Sequence, residues 1–307
     1  MLKKRGVIEF SWIFALIVGA IILFLAFYFI GTKFTEKNIL KSIQTEQSLD
    51  IIFNPFSSFG SLGATSSKVI LLRNSEKINF SCDSNGLGFN SILVSTEAVL
   101  KPRLVYDKYI FTENFSQGKD FQIISKPFSM PWRVADFIYF IPRNINYCFI
   151  GFNDIKDEFG DSGTGLNISN FQFKDSRNQC NEPSIKVCRS GCDINVNNRV
   201  VTKTSGTTYY VDDATMYAAI FSDPTIYNCN LKRLGKRIEY QTKVYDEKVA
   251  SILSRCSDTF GLSSLRTIAG ALYSERSSGA IGDRLIALKA SSDIINDQNR
   301  RAQCKLF

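Results

Sequence analysis

FSWIFALIVGAIILFLAFYFI, Phe10 to Ile30, is a run of 21 residues without a charge. At about 1.5 Å rise per residue, a helix of that length crosses a hydrocarbon core about 30 Å thick. Lys3, Lys4 and Arg5 precede it, and such a basic flank stays on the cytoplasmic side. Residues 1–33 are therefore expected to be a cytoplasmic basic tip and one transmembrane helix, with everything after Lys33 outside. A cleaved secretory signal has an apolar core of about 7–15 residues and a small-residue cleavage site. Here the core is longer and runs into Gly31-Thr32-Lys33, so the segment is expected to stay as an anchor in a lipid bilayer.

Helical character is expected to continue past the membrane. Over residues 34–54, Ile39, Leu40, Ile43, Leu49, Ile52 and Phe53 alternate with Lys37, Lys41, Gln44 and Glu46 at roughly helical spacing. Asn54-Pro55 ends the pattern. This amphipathic stretch reads either as a stalk helix or as a juxtamembrane helix packed on its own outer domain.

Residues 55–211 change to short β-type runs. Candidate strands are Lys68–Arg73, Lys77–Ser81, Ser91–Ser95, Leu104–Thr112, Phe121–Ser125, Phe137–Ile141, Tyr147–Gly151 and Asn167–Phe173. They are rich in Ile, Val, Phe and Tyr and bounded by Asn, Gly, Ser and Pro, which predicts a mainly antiparallel sheet. Residues 212–307 are helical by period. Ser222-Asp223-Pro224 offers a cap and a first-turn proline, and Leu231, Leu234, Ile238, Tyr245, Val249 and Ile252 follow at helical steps towards Cys256. Gly235 interrupts that stripe. A second stripe runs from Leu262 to Leu272, and a third from Ile281 to Ile295 towards Cys304. The expected fold class is α+β: an anchor helix extended into a stalk, a β-rich middle and a helical C-terminal third. No linker separates the middle from the end, which allows one shared core.

All eight cysteines lie beyond the anchor: Cys82, Cys148, Cys180, Cys188, Cys192, Cys229, Cys256 and Cys304. An even number in an oxidising compartment predicts disulfides. Cys82 and Cys148 sit in β-type runs and suggest a cross-strand pair; Cys256 and Cys304 close two helical segments and suggest another. Metal binding by Cys180, Cys188 and Cys192 is disfavoured, because paired C-x2-C steps and histidine are both missing. No metal or cofactor is expected. Asn79-Phe80-Ser81, Asn114-Phe115-Ser116 and Asn167-Ile168-Ser169 match the N-glycosylation acceptor pattern, on the side the topology places outside.

The absence of histidine bears on chemistry directly. It removes the usual general base and the commonest metal ligand, so a Ser-His-Asp or Cys-His nucleophile is excluded. Asp161-Ser162-Gly163-Thr164 matches an aspartic-protease loop, but that chemistry needs two such loops and the chain has one. Ser116-Gln117-Gly118-Lys119 fits Ser-x-x-Lys without its companion motifs. Gly86-Leu87-Gly88 lacks the third glycine of a dinucleotide loop. No enzyme is expected. The formal charge is +8, and residues 232–307 hold fourteen Lys/Arg against eight Asp/Glu, a net of +6. Such a face reads as a partner for an acidic envelope surface or as ordinary solvated helix; no specific nucleic-acid module is visible.

Arg5-Gly6-Val7-Ile8-Glu9-Phe10-Ser11, followed by the long apolar helix, resembles the start of type IV pilin-like proteins, including archaeal class III signal sequences and TadE-like proteins. The resemblance implies cleavage beside Gly6, and pairing of Glu9 with the new amine of a neighbouring, identical or related subunit. Glu9 would be third after that cut, where the family has it fifth, so an uncleaved signal anchor is the other reading. Ser48–Phe56, Ser125–Phe140 and Met216–Pro224 also resemble a family of uncharacterised archaeal membrane-anchored proteins. Together these readings imply a structural, pilin-like cell-surface subunit; the alternative is a non-polymerising anchored receptor or adhesin.

Overall fold

Six strands form the first sheet of the computed structural model, which describes residues 16–28, 65–95, 102–160, 165–252 and 260–307. They are β1 (Ser66–Asp83), β2 (Phe89–Ser95), β3 (Arg103–Val105), β4 (Tyr109–Phe111), β5 (Phe115–Ser129) and β6 (Arg133–Pro142), in the order β3-β2-β1-β5-β6-β4. The expected run Leu104–Thr112 thus divides in two, and its halves lie on opposite edges of the sheet. A flat six-stranded sheet holds its edges about 24 Å apart. The four-residue step from Val105 to Tyr109 reaches at most about 14 Å. The sheet must therefore curl until its edges approach. One apolar cluster accordingly takes residues from every strand, among them Ile78, Ile92, Val105, Ile110, Ile123 and Phe140, with Ile226 reaching in from a helix.

The seam between the curled edges is closed by side chains. Asn90 on β2 accepts from the Ile110 amide at 3.1 Å, and Asn230 donates to the Ile110 carbonyl at 2.7 Å. Arg233 fills the rest. Its guanidinium donates to the carbonyls of Leu87 (3.1 Å), Tyr106 (2.8 Å), Lys108 (3.2 Å) and Gly88 (3.4 Å), and to the side-chain oxygens of Asn90 (2.6 Å) and Asn230 (2.8 Å). Arg233 has no solvent exposure and lies 4.8 Å from the centre of the Tyr109 ring. Burial pushes its pKa down, and the neighbouring Tyr109 phenol opposes that shift. Gly88 (φ +58°) makes this approach possible, since a Cβ there would stand 2.0 Å from the Asp83 carbonyl oxygen and 3.0 Å from Arg233 Cγ.

The second sheet comprises β7 (Tyr147–Ile150), β8 (Phe171–Lys174), β9 (Ile185–Cys188), β10 (Ile194–Asn197), β11 (Val200–Lys203) and β12 (Gly206–Tyr209), ordered β12-β11-β10-β9-β7-β8. Helix α2 (Asn153–Phe159) connects β7 to β8. The expectation of mainly antiparallel pairing holds for most of the strands, but β4 pairs parallel to β6, β7 parallel to β8 and β9, and β9 parallel to β10. Apolar alternation marks faces but carries no strand direction, which the connections decide. The four strands β9 to β12 fall outside the expected runs, because four residues bearing Lys, Asn and Thr are too short for a period to register.

The helical third matches its stripes. Helix α3 (Asp213–Phe221) starts in a capping box between Asp212 and Thr215 and is buried from Ala214 to Phe221. Helix α4 (Pro224–Ile252) begins behind Asp223, whose Oδ1 accepts from the Thr225 amide at 2.7 Å. Helices α5 (Leu262–Ser274) and α6 (Ser278–Arg301) follow. Gly235 is where α5 crosses α4: a Cβ would meet the Ala269 carbonyl oxygen at 2.8 Å. Phe137, Tyr139 and Ile141 on β6 face these helices and the second sheet, while Ile138 and Phe140 face the curled interior. Both faces of β6 are buried, which explains its unbroken apolar sequence. The β-rich middle and helical end do share one core.

Residues 16–28, the described part of the apolar run, form helix α1. Its large side chains, including Leu16, Ile22, Phe24 and Phe27, are exposed on all sides. Among the described residues no helix is long and apolar enough to cross a membrane. The rest of that run, Gly6, Glu9 and the expected stalk over residues 34–54 lie outside the described residues.

Gly282 on α6 faces Tyr209 of β12, where a Cβ would sit 2.3 Å from the ring. Gly282→Ala gains up to about 1 kcal/mol of helix propensity but forces overpacking of typically about 1–3 kcal/mol. With three Tyr209 atoms closer than 3.0 Å the clash takes the upper part of that range, so a net loss of about 1–2 kcal/mol is expected in urea melts, and an unchanged midpoint would refute the packing argument.

Candidate functional site

The cysteines pair differently from the cross-strand expectation. Cys82 bonds Cys229, Cys148 bonds Cys180, and Cys188 bonds Cys192, with Cα separations of 6.0, 5.9 and 5.8 Å. β1 and β7 belong to different sheets and each cysteine has a nearer partner: α4 carries Cys229 against the end of β1, and Cys180 meets Cys148. Cys304 is also in a disulfide; Cys256, its expected partner, lies outside the described residues. None of the described cysteines is free, so Cys180, Cys188 and Cys192, the trio with the closest spacing, are all held in disulfides.

The Cys82–Cys229 bridge forms one wall of an open pocket of about 370 Å³. Thr225, Asn228 and Lys232 enter it from one face of α4, at the i, i+3, i+7 spacing that aligns side chains. Ser84 reaches in from the end of β1, Arg276 from the turn before α6, and Pro224 and Ile281 supply apolar surface. Lys232 is half-buried and Arg276 exposed. Neither has an ion-pair partner among the described residues. Much of the basic C-terminal region is by contrast neutralised: Lys236, Arg266, Arg284, Lys289, Arg300 and Arg301 each pair with a carboxylate. Two carboxylates adjoin the lining residues in sequence, Asp223 beside Pro224, accepting from the Thr225 amide, and Asp83 between Cys82 and Ser84, accepting from the Asn85 amide, both at 2.7 Å. No carboxylate lines the pocket itself, so both charged groups that line it are cations. Its cations stand far apart in sequence, and the only local signal that could have pointed to it is the i, i+3, i+7 spacing of polar residues on α4.

A second polar centre lies around Glu158 of α2. Its carboxylate accepts from Thr65 Oγ1 and Tyr217 Oη, both at 2.9 Å, and from Lys126 Nζ. Burial, reinforced by the Glu158 charge, pushes the Tyr217 phenol far above its ordinary value. Asp213 is likewise pushed up by burial. Every oxygen of Glu158 is engaged, and the group ties β5, α2 and α3 together. Lys203 is similar: buried, it pairs with Glu113 at 3.1 Å and donates to the Ser222 carbonyl at 2.7 Å, and burial pushes its pKa down.

The enzyme motifs assemble no site among the described residues. Ser116 is buried in β5 while Lys119 of the same strand is exposed, as a three-residue separation in a strand requires. Gly86-Leu87-Gly88 is the β1–β2 turn that seats Arg233, and Asp161–Thr164 lies outside the described residues. Among the described residues no group of three or more His, Cys, Asp or Glu could hold a metal. Of the sequon residues, Asn114 and Asn167 are exposed, whereas Asn79 is half-buried in β1 with strands on both sides. Comparison with known proteins finds no family model that matches the chain, and no curated protein or solved structure similar to it.

Proposed function

We propose that this chain is a membrane-anchored extracytoplasmic structural protein, in its finer form a pilin-like subunit of a cell-surface assembly. The observation that carries the reading is that no described cysteine is free. Such bridges form and persist in oxidising compartments and are rare in the cytosol. The all-round apolar exposure of α1 supports an N-terminal helix covered by lipid or by the helices of neighbouring subunits. On this reading the partners are the bilayer, copies of the same or a related subunit, and an acidic envelope surface; the body binds and holds instead of catalysing. A solitary anchored receptor or adhesin is the alternative.

Protease added to intact cells is expected to remove most of the mass, and the released body to resist alkylation until reduced. Protection of the body, or free thiols throughout it, would refute the topology. N-terminal sequencing of the mature chain then separates the two forms. A start at Val7 supports the pilin-like route, and an intact Met1 supports the solitary anchor.

A further inference from the structure

We propose that the pocket beside the Cys82–Cys229 bridge binds an anionic sugar, a sugar phosphate or sugar acid, through Lys232 and Arg276. The proposal goes beyond the topology above and does not depend on which side of a membrane the body lies. Two cations from different parts of the chain face one concavity, with no carboxylate among the residues lining it. Lys232 supplies a compact point charge, and Arg276 a planar fork of donors that matches phosphate or carboxylate oxygens. The helix start contributes little, since Asp223 already caps it.

Size and wall chemistry narrow the ligand. About 370 Å³ exceeds what a bare inorganic anion fills and falls at the lower end of small-molecule sites. Ser84, Thr225 and Asn228 offer hydroxyl and amide groups that both donate and accept, as sugar hydroxyls require. Pro224, Ile281 and the disulfide form a dry wall suited to the C–H face of a ring. The Lys232 and Arg276 side chains are not in the buried core, so substituting them leaves the fold intact.

Calorimetric titration of the full chain in detergent tests this with glucose 6-phosphate, glucuronate, inorganic phosphate and glucose. Binding of glucose 6-phosphate and glucuronate is expected, at least about tenfold tighter than of glucose or inorganic phosphate. Raising the salt concentration should weaken it. A Lys232→Gln/Arg276→Gln double variant should lose about tenfold or more in affinity while its melting temperature stays unchanged. No heat from either anionic sugar, equal binding of glucose, or full affinity in the double variant would overturn the proposal. Inorganic phosphate binding as tightly as glucose 6-phosphate would overturn the sugar assignment. A melting temperature that falls in the double variant would overturn the separation of binding from folding, and Lys232→Arg would then have to restore both for the site to stand.

Discussion

Arg233→Met should unfold the curled sheet or leave it barely folded, with a loss of about 4 kcal/mol or more. The methionine fills a similar volume but donates nothing. The carbonyls of Leu87, Tyr106 and Lys108 and the side-chain oxygen of Asn230 would then lose the donor that Arg233 supplies, and Asn90 would keep only the Ile110 amide. Each buried acceptor left unsatisfied costs about 1–3 kcal/mol, and several are orphaned at once. Domains of ordinary stability hold only about 5–15 kcal/mol, so such a loss takes a large share. Arg233→Lys keeps the charge and loses the fork, and should fall between the two. Val244→Ser, at an exposed position of α4, should stay within about 0.5 kcal/mol. Urea unfolding monitored by far-UV circular dichroism reads the order. A loss below about 1 kcal/mol for Arg233→Met would show that the curled edges hold without it.

Removing the Cys82–Cys229 bridge should be the costliest change among the disulfides. Chain-entropy arguments scale with the closed loop: a sequence separation of 147 corresponds to about 5 kcal/mol, and the separation of 4 at Cys188–Cys192 to about 2 kcal/mol. Double Cys→Ala replacement at 82 and 229 is therefore expected to lower stability by more than twice the effect of the same change at 188 and 192. Equal effects in denaturant melts would mean that the unfolded chain is already compact, or that α4 holds β1 without the bridge. The pocket shares this bridge, so the 82/229 variant should also lose ligand affinity, whereas the 188/192 variant should keep it.

What could be read without coordinates follows a physical line. The stripe from Leu231 to Ile252, the stripes ending at Leu272 and Ile295, and the cap at Asp223 are local patterns, and each lies on the helix it implied. The runs near Lys68, Ser91, Phe121, Phe137 and Tyr147 likewise fall within strands. Disulfide formation also followed from composition. The pocket was not legible: Lys232 and Arg276 were visible only within the excess of Lys/Arg over residues 232–307, because nothing local brings them together.

By itself the sequence determined the three long C-terminal helices, most of the first sheet and the oxidised state of the cysteines, because each depends on residues within a few positions or on composition; the short helix α2 inside the β-rich region was not legible in it. Tertiary structure alone decided that one β run splits across opposite edges, that β7, β8, β9 and β10 pair in parallel, and that Cys82 meets Cys229 rather than Cys148. It also decided that Gly235, which weakens a helix locally, is the point where α5 can approach. Arg233 is the sharpest case: on a helical wheel it is one more surface cation, and only the curl of a distant sheet turns six oxygens towards it and shuts out water. Hydrophobic period records which face of an element is dry; which element dries it is set by chain connection and close packing, and those have no local signal.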